Sequence, residues 1–115
     1  MRSREVRKLL FDVQEACALV LTFTEGRTLD QYLKDRMLQS AVERQGEIIG
    51  EALRQAADLN PSLADEIPEL RRIIAFRNRL AHGYADVSPE IVWGIAAVDV
   101  PRLLAGVRAI MGESP

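Results

Sequence analysis

The longest uninterrupted helical pattern in the chain is LQSAVERQGEIIGEALRQAADL, residues 38–59. Its apolar residues recur every three or four positions, which is the spacing of one face of an α-helix. The pattern begins near Asp35 and contains no proline before Asn60-Pro61, where the helix should end. A long helix with one apolar face needs other helices to cover that face, so this stretch indicates a helical bundle.

Two glycines, Gly46 and Gly50, interrupt this helix. Each costs about 1 kcal/mol relative to alanine in a helix interior. Glycines four residues apart lie on the same face and permit a close approach by another backbone. The sequence therefore predicts either tight packing within the chain or a contact between subunits, and leaves both open.

The residues before this stretch predict two more helices. An apolar face from Ser3 to about Phe23 predicts helix one. Glu25-Gly26-Arg27 breaks the pattern, and the hydroxyl of Thr28 can cap a short helix that runs from Leu29 to about Lys34.

The residues after it predict two further helices. A loop from Asn60 to Ile67 leads to Pro68 in the first turn of a third helix, which ends near His82. Ser88-Pro89-Glu90 begins a fourth helix, which Asp99-Val100-Pro101 breaks or kinks before it resumes to the C-terminus. No strand pattern is visible, so the predicted fold is all-α, an antiparallel up-and-down bundle of four to five helices in a single domain, residues 1–115.

Composition sets the class of protein. The chain is 48% hydrophobic with a formal net charge of -2, which excludes a disordered chain and does not by itself demand nucleic acid. Cys17 is the only cysteine and lies on the apolar face of helix one, so we expect a buried thiol and no disulfide. Without a signal sequence or a membrane span, the expected location is the cytoplasm.

The most chemically specific stretch is RNRLAHGY, residues 77–84. His82 is suited to proton transfer near neutral pH, and Arg77 is suited to bind a pentacoordinate phosphate. On a continuous helix these two side chains diverge by about 140°, which a helix end at His82 would relax. Together they could cleave RNA without a metal ion. The alternative is structural: His82 complements the helix dipole, and Arg77 pairs with a glutamate of the long helix.

Acid–base cleavage of RNA commonly uses two proton-transfer groups, and each chain carries one histidine. A homodimer that brings two copies of the motif together would supply both groups. We therefore expect a homodimer.

Three glutamates, Glu43, Glu47 and Glu51, form a stripe on the long helix. Such a stripe is usually a solvated face, although Glu43 or Glu47 could meet an arginine of the central motif. Arg79 is a further candidate to support the site. Trp93 is expected to anchor the core or an interface.

The segment RNRLAHGY resembles the Arg-x4-His-x-Tyr signature of the HepT-like branch of the HEPN superfamily, the toxins of HepT/MntA-type toxin-antitoxin pairs. The resemblance extends to residues 41–52 and to Ile91-Val92-Trp93. It implies a HEPN-like bundle and a dimeric endoribonuclease that uses no metal or other cofactor. Arg77 and His82 match the catalytic pair, and Asn78 matches the polar residue that helps to orient the site.

The same resemblance implies a means of control. Tyr84 matches the tyrosine to which an MntA-like minimal nucleotidyltransferase antitoxin adds AMP, which would block an RNA site by charge and bulk. Two alternatives stay open. The chain could be a catalytically inactive HEPN subunit that binds a nucleotidyltransferase partner or RNA, or a helical dimerisation domain without a nucleic-acid role.

Overall fold

The computed structural model describes residues 2–82 and 87–112, and these residues form an all-helical bundle. Its helices are α1 (Arg4–Thr24), α2 (Leu29–Leu33), α3 (Arg36–Leu59), α4 (Leu63–Glu66), α5 (Leu70–Ala81), α6 (Pro89–Gly94) and α7 (Val100–Ile110), and a π-helical turn (Ile95–Asp99) joins α6 to α7. Four long rods result: α1, α3, α5, and α6 with α7. The predicted all-α fold is confirmed.

Side-chain caps fix where the helices begin. Ser3, Thr28, Asp35 and Ser88 each accept a hydrogen bond from the backbone N–H three residues further on. At Thr28 the cap is reciprocal, because the side chain of Gln31 accepts a hydrogen bond from the Thr28 backbone N–H. The starts predicted at Ser3, Thr28 and Ser88 are therefore confirmed.

The rods pack side by side, α1 against α3 and α7, and α3 against α5. The core lies between them and is lined by residues from every rod. Its fully buried members include Leu10, Val13, Cys17, Ile49, Leu53, Ile73, Leu103 and Val107. Because Cys17 is buried, the pKa of its thiol is raised to about 12, and it stays protonated in the folded chain. This agrees with its predicted place in the core.

Two details between α3 and α5 differ from the sequence-based prediction. The expected loop at residues 60–67 contains the short helix α4, because Leu63 and Ile67 are fully buried and draw this segment onto the core. Pro68 lies in a turn before α5 instead of in its first turn, and Glu69 occupies the N-cap position.

Pro101 does not break the last rod. The rod passes through the π-helical turn, in which the N–H of Val100 donates to the carbonyl of Ile95. This wider turn lies immediately before Pro101, where proline would otherwise crowd the preceding turn of an α-helix. The predicted disturbance is therefore a π-helical turn within a continuous rod.

Trp93 on α6 packs against the core, as predicted. Its ring centroid lies 5.2 Å from that of Tyr32, and the two rings are inclined by 44°. This contact fixes α6 against α2. Among the residues described, no helix is both long and apolar enough to traverse a bilayer.

Candidate functional site

The last turns of α5 carry Arg77, Asn78 and Arg79. The helix ends at Ala81, and His82 is its C-cap residue. The predicted modification residue Tyr84 lies outside the described residues.

Gly50 on α3 provides the space in which Arg77 lies. A Cβ atom on Gly50 would fall 2.2 Å from the Cβ atom of Arg77 and 2.7 Å from its Cγ atom. Gly46, one turn earlier, faces the ring of Phe76, whose Cε2 atom would be 3.0 Å from a Cβ atom there. Of the two roles predicted for these glycines, the structure shows close packing within the chain, between α3 and α5.

Polar contacts hold the guanidinium group of Arg77 at this crossing. Its Nη2 atom lies 3.2 Å from Oε1 of Glu51, and its Nη1 atom donates a hydrogen bond of 3.1 Å to Oδ1 of Asn78. The side chain is 28% exposed, so it is partly withdrawn from solvent and fixed at both terminal nitrogens. Asn78, predicted to help orient the site, is therefore one of the two contacts of this guanidinium group.

Glu51 is itself held by neighbours on α3. Arg54 donates to both of its carboxylate oxygens, at 3.1 and 2.8 Å, and Gln55 donates to Oε2 at 2.9 Å. The hydrogen bonds from Arg54 and then Gln55, with the charge of Arg77 adding to them, lower the pKa of Glu51 to about 2. The carboxylate facing Arg77 is therefore ionised throughout the physiological range.

Neither Glu43 nor Glu47, either of which could have met an arginine of the motif, forms the ion pair with Arg77. The glutamate that meets Arg77 is Glu51, one or two turns further along the stripe. Glu47 instead lies 3.8 Å from Arg44 on its own helix. Burial, and secondarily the charge of Glu47, raises the pKa of Glu43.

The reason is the position of the helix crossing. α5 comes nearest to α3 at Gly50, so the adjacent residue Glu51 reaches the side chain that lies there. The glycine was the signal in the sequence that could have identified Glu51. The alternative expectation, that Arg77 pairs with a glutamate of the long helix, is confirmed.

Arg77 and His82 point to different sides of α5. The N–H of His82 donates to the carbonyl of Asn78 at 3.1 Å, so the backbone keeps its helical register up to His82. Five residues in that register separate the two side-chain directions by about 140°. The helix does end at His82, its C-cap residue, although the N–H of that residue still makes the helical hydrogen bond. Arg77 faces α3, whereas His82, like Arg79, is exposed.

Arg77 also borders a groove of about 550 Å³ between α1 and α3. The charged residues that line the groove are Asp12, Glu15, Glu47, Glu51, Arg44 and Arg77. Among the described residues that line the groove, carboxylates outnumber arginines by four to two, so their net charge is negative. The described residues include no group of three or more histidine, cysteine or acidic side chains placed to hold a metal ion.

Known proteins are similar in sequence to this chain. The family model described as "Ribonuclease HepT-like" matches residues 13–110. "Putative RNase MJ0127" of Methanocaldococcus jannaschii is 31% identical over 115 residues, which cover 98% of this chain and 93% of that protein. "Probable ribonuclease HepT" of Thermococcus cleftensis is 34% identical over 100 residues, 87% of this chain and 90% of that protein. No solved structure matches the chain.

A family model that spans most of the chain, together with relatives aligned over nearly their full lengths, establishes the family. It confirms both the predicted resemblance and the predicted class of enzyme. The chain belongs to the HepT-like ribonuclease family.

Proposed function

We propose that this protein is a metal-independent endoribonuclease toxin that acts as a homodimer. The observation that carries the proposal is the anchored guanidinium of Arg77, fixed by Glu51 and Asn78 on the helix that ends at His82. A positioned arginine and a histidine on one helix suit phosphodiester cleavage, and the family is one of ribonucleases.

His82 supplies the proton transfers. One imidazole accepts the proton of the ribose 2′-hydroxyl as its oxygen attacks the adjacent phosphorus. The new O2′–P bond forms, the P–O5′ bond breaks, and a second imidazole donates a proton to the departing 5′-oxygen. The products are a 2′,3′-cyclic phosphate and a 5′-hydroxyl, and the atoms balance without added water.

Arg77 stabilises the charge that develops on the phosphate. A guanidinium carries two N–H groups on each Nη atom, and Glu51 and Asn78 are contacted through one Nη atom each. Each nitrogen therefore keeps a second N–H, fixed in the plane of the guanidinium, that can donate to a phosphate oxygen. Asn78 acts as a positioning residue, because it holds Arg77 in place.

The second imidazole comes from a second copy of the chain. Each chain has one histidine, and the register of α5 turns His82 away from its own Arg77. Two copies that pair with their motifs facing each other bring two imidazoles and two arginines to one cleft. This supports the homodimer.

The ribonuclease would be switched off by modification of Tyr84, two residues after His82. In this proposal the phenol loses its proton as its oxygen attacks the α-phosphorus of ATP, pyrophosphate leaves, and the tyrosine carries AMP. An MntA-like minimal nucleotidyltransferase antitoxin catalyses this transfer. The added negative phosphate and nucleoside next to the histidine would repel and block an RNA strand.

The catalytic assignment is tested by RNA cleavage in the presence of EDTA. The native chain should cleave, and His82→Ala should be slower by about 100-fold or more, because it lacks an acid–base group. Arg44→Ala, on an exposed arginine of α3 that pairs with Glu47 and is not part of the motif, is the matched control and should cleave like the native chain. Equal rates for the native chain and His82→Ala, or no cleavage by either, would refute the assignment.

The ion pair between Arg77 and Glu51 also suits a second candidate, a catalytically inactive subunit that binds a nucleotidyltransferase partner or RNA. Intact-mass measurement after co-expression with such an enzyme separates the two. Added AMP that disappears in Tyr84→Phe supports the regulated toxin. A stable complex without added mass, from a chain that does not cleave RNA, supports the inactive subunit.

A further inference from the structure

A second face of α5, turned away from Arg77, carries a row of cations. Arg71, Arg72 and Arg79 are all exposed and lie within about 100° of each other around the helix. His82 falls inside the same arc. Arg71 and Arg79 are eight residues apart, or about 12 Å along the helix, which corresponds to about three to four nucleotides of a stacked strand.

One of these arginines is oriented by a buried carboxylate. The Nε atom of Arg72 lies 3.0 Å from Oδ2 of Asp99, whose side chain is only 7% exposed. The arginine side chain itself is 70% exposed. Asp99 therefore holds the guanidinium at its Nε edge while most of the Arg72 side chain stays in solvent. An arginine fixed in this way is prepared to bind a phosphate in two-pronged fashion.

Two shallow depressions meet at Arg72, between α5 and the last rod. The first, of about 240 Å³, is lined by Phe76, Arg79 and Ile91 among others. The second, of about 350 Å³, is lined by Val98 and Arg102 among others. Ile91 and Val98 are 45% and 47% exposed, so apolar surface lies open between the arginines.

The charge of this face is opposite to that of the α1–α3 groove. Among the described residues, the two depressions are lined by three arginines, Arg72, Arg79 and Arg102, and by two carboxylates, of which Asp99 is buried in its ion pair. The α1–α3 groove contains two arginines against four carboxylates. A polyanion is therefore favoured on the α5 face and disfavoured in the groove.

We propose that the surface formed by Arg71, Arg72, Arg79, Arg102, Ile91 and Val98, called here the arginine face, is where single-stranded RNA docks. The arginines bind successive phosphates, and unpaired bases cover the apolar side chains between them. A strand on this face passes His82, which lies on the same side of α5. The proposal rests on the proposed function for its choice of RNA, and adds the path of the strand.

The test measures RNA binding without cleavage. Fluorescence anisotropy of a labelled short single-stranded RNA is recorded over a range of salt concentrations, with every variant built on His82→Ala so that the RNA stays intact. Arg102→Glu should bind several-fold more weakly, and the slope of log K against log salt should be shallower by about 0.7 for each phosphate that the variant no longer binds. Ile91→Ser should weaken binding without changing that slope.

Arg44→Glu is the matched control, because it reverses an equally exposed arginine that borders the negative groove. It should bind RNA like its parent. Arg102 is chosen over Arg72, since removal of Arg72 would leave buried Asp99 without its partner and could destabilise the fold.

The outcomes separate this proposal from the proposed function. Weaker binding by Arg102→Glu supports the arginine face even if the native chain cleaves no RNA, in which case only the ribonuclease assignment fails. Equal affinity of Arg102→Glu and Arg44→Glu would overturn the arginine face, whether or not the native chain cleaves. A third outcome is that Arg102→Glu binds RNA as well as its parent but binds a nucleotidyltransferase more weakly. That result would also overturn the arginine face as an RNA surface and assign it to a protein partner.

Discussion

Oε1 of Glu51 lies 3.2 Å from Nη2 of Arg77, and this ion pair joins α3 to α5 at the point where the two helices are closest. Gly50 makes the contact possible, because any larger residue there would push Arg77 away. The ion pair thus explains why a long helix keeps a glycine at a position that lowers its helix propensity.

Gly50→Ala should destabilise the fold and displace Arg77. The new Cβ atom would lie 2.2 Å from the Cβ atom of Arg77, so the two helices would have to separate. Overpacking of this kind lowers the free energy of unfolding by about 1–3 kcal/mol. The higher helix propensity of alanine offsets about 1 kcal/mol of that loss. Urea unfolding should show a net decrease in stability, and RNA cleavage should fall with it.

Gly106→Ala in α7 is the control, since a Cβ atom there would meet nothing within 4 Å. It should raise the free energy of unfolding by up to about 1 kcal/mol. If Gly50→Ala were as stable as Gly106→Ala, the helices would not be in the contact described.

Glu51→Gln should reduce cleavage more than it reduces stability. The neutral amide no longer fixes the guanidinium of Arg77 by charge, whereas a partly exposed ion pair contributes little to folding. The decrease should appear in kcat, with KM nearly unchanged, because positioning matters most in the transition state.

Glu47→Gln is the matched control on the same stripe, because Glu47 faces Arg44 instead of Arg77. Its cleavage rate should match that of the native chain. Faster cleavage by Glu51→Gln than by the native chain would show that Glu51 restrains Arg77 and does not position it.

The stability of the fold at acid pH should also depend on the carboxylate of Glu51. Its pKa is lowered in the folded chain from 4.5 to about 2, so its contribution is fully present above pH 4.5 and is lost as the pH falls toward 2. The free energy of unfolding, measured by urea titration across that window, should fall less steeply in Glu51→Gln than in the native chain. The carboxylate of Glu66, whose pKa is lowered by Arg2, contributes equally to both curves. If the free energies of unfolding of the native chain and Glu51→Gln fell in parallel with pH, the lowered pKa of Glu51 would be contradicted.

Periodicity predicted the long helices well, because each has one continuous apolar face. The apolar residues of α1 and α3 that were predicted to face inward are mostly buried, among them Val13, Cys17 and Leu53. The short helix α4 was missed, since four residues are too few to show a period. The π-helical turn before Pro101 was predicted only as a break or kink. A proline shows that the backbone hydrogen-bond pattern of the helix must change, but it does not show which pattern replaces it.

The site was harder to predict than the fold. Arg77 was identified by residue type and Asn78 by the family resemblance, and neither pointed to the hydrogen bond between them. The choice among Glu43, Glu47 and Glu51 depends on where α5 crosses α3, which residue type and spacing along one helix do not determine. The roles of Arg77, His82 and Tyr84 stay predictions until they are tested by activity.

The central claim is that cleavage needs the His82 residues of two chains, and subunit mixing tests it most directly. Native chain and His82→Ala are co-purified as mixed dimers over a range of ratios, and RNA cleavage is measured in EDTA. If each site needs both histidines, activity should fall with the square of the native fraction, because a mixed dimer lacks one proton-transfer group. Activity that falls in simple proportion to the native fraction would show that each chain cleaves alone, and would contradict the shared site.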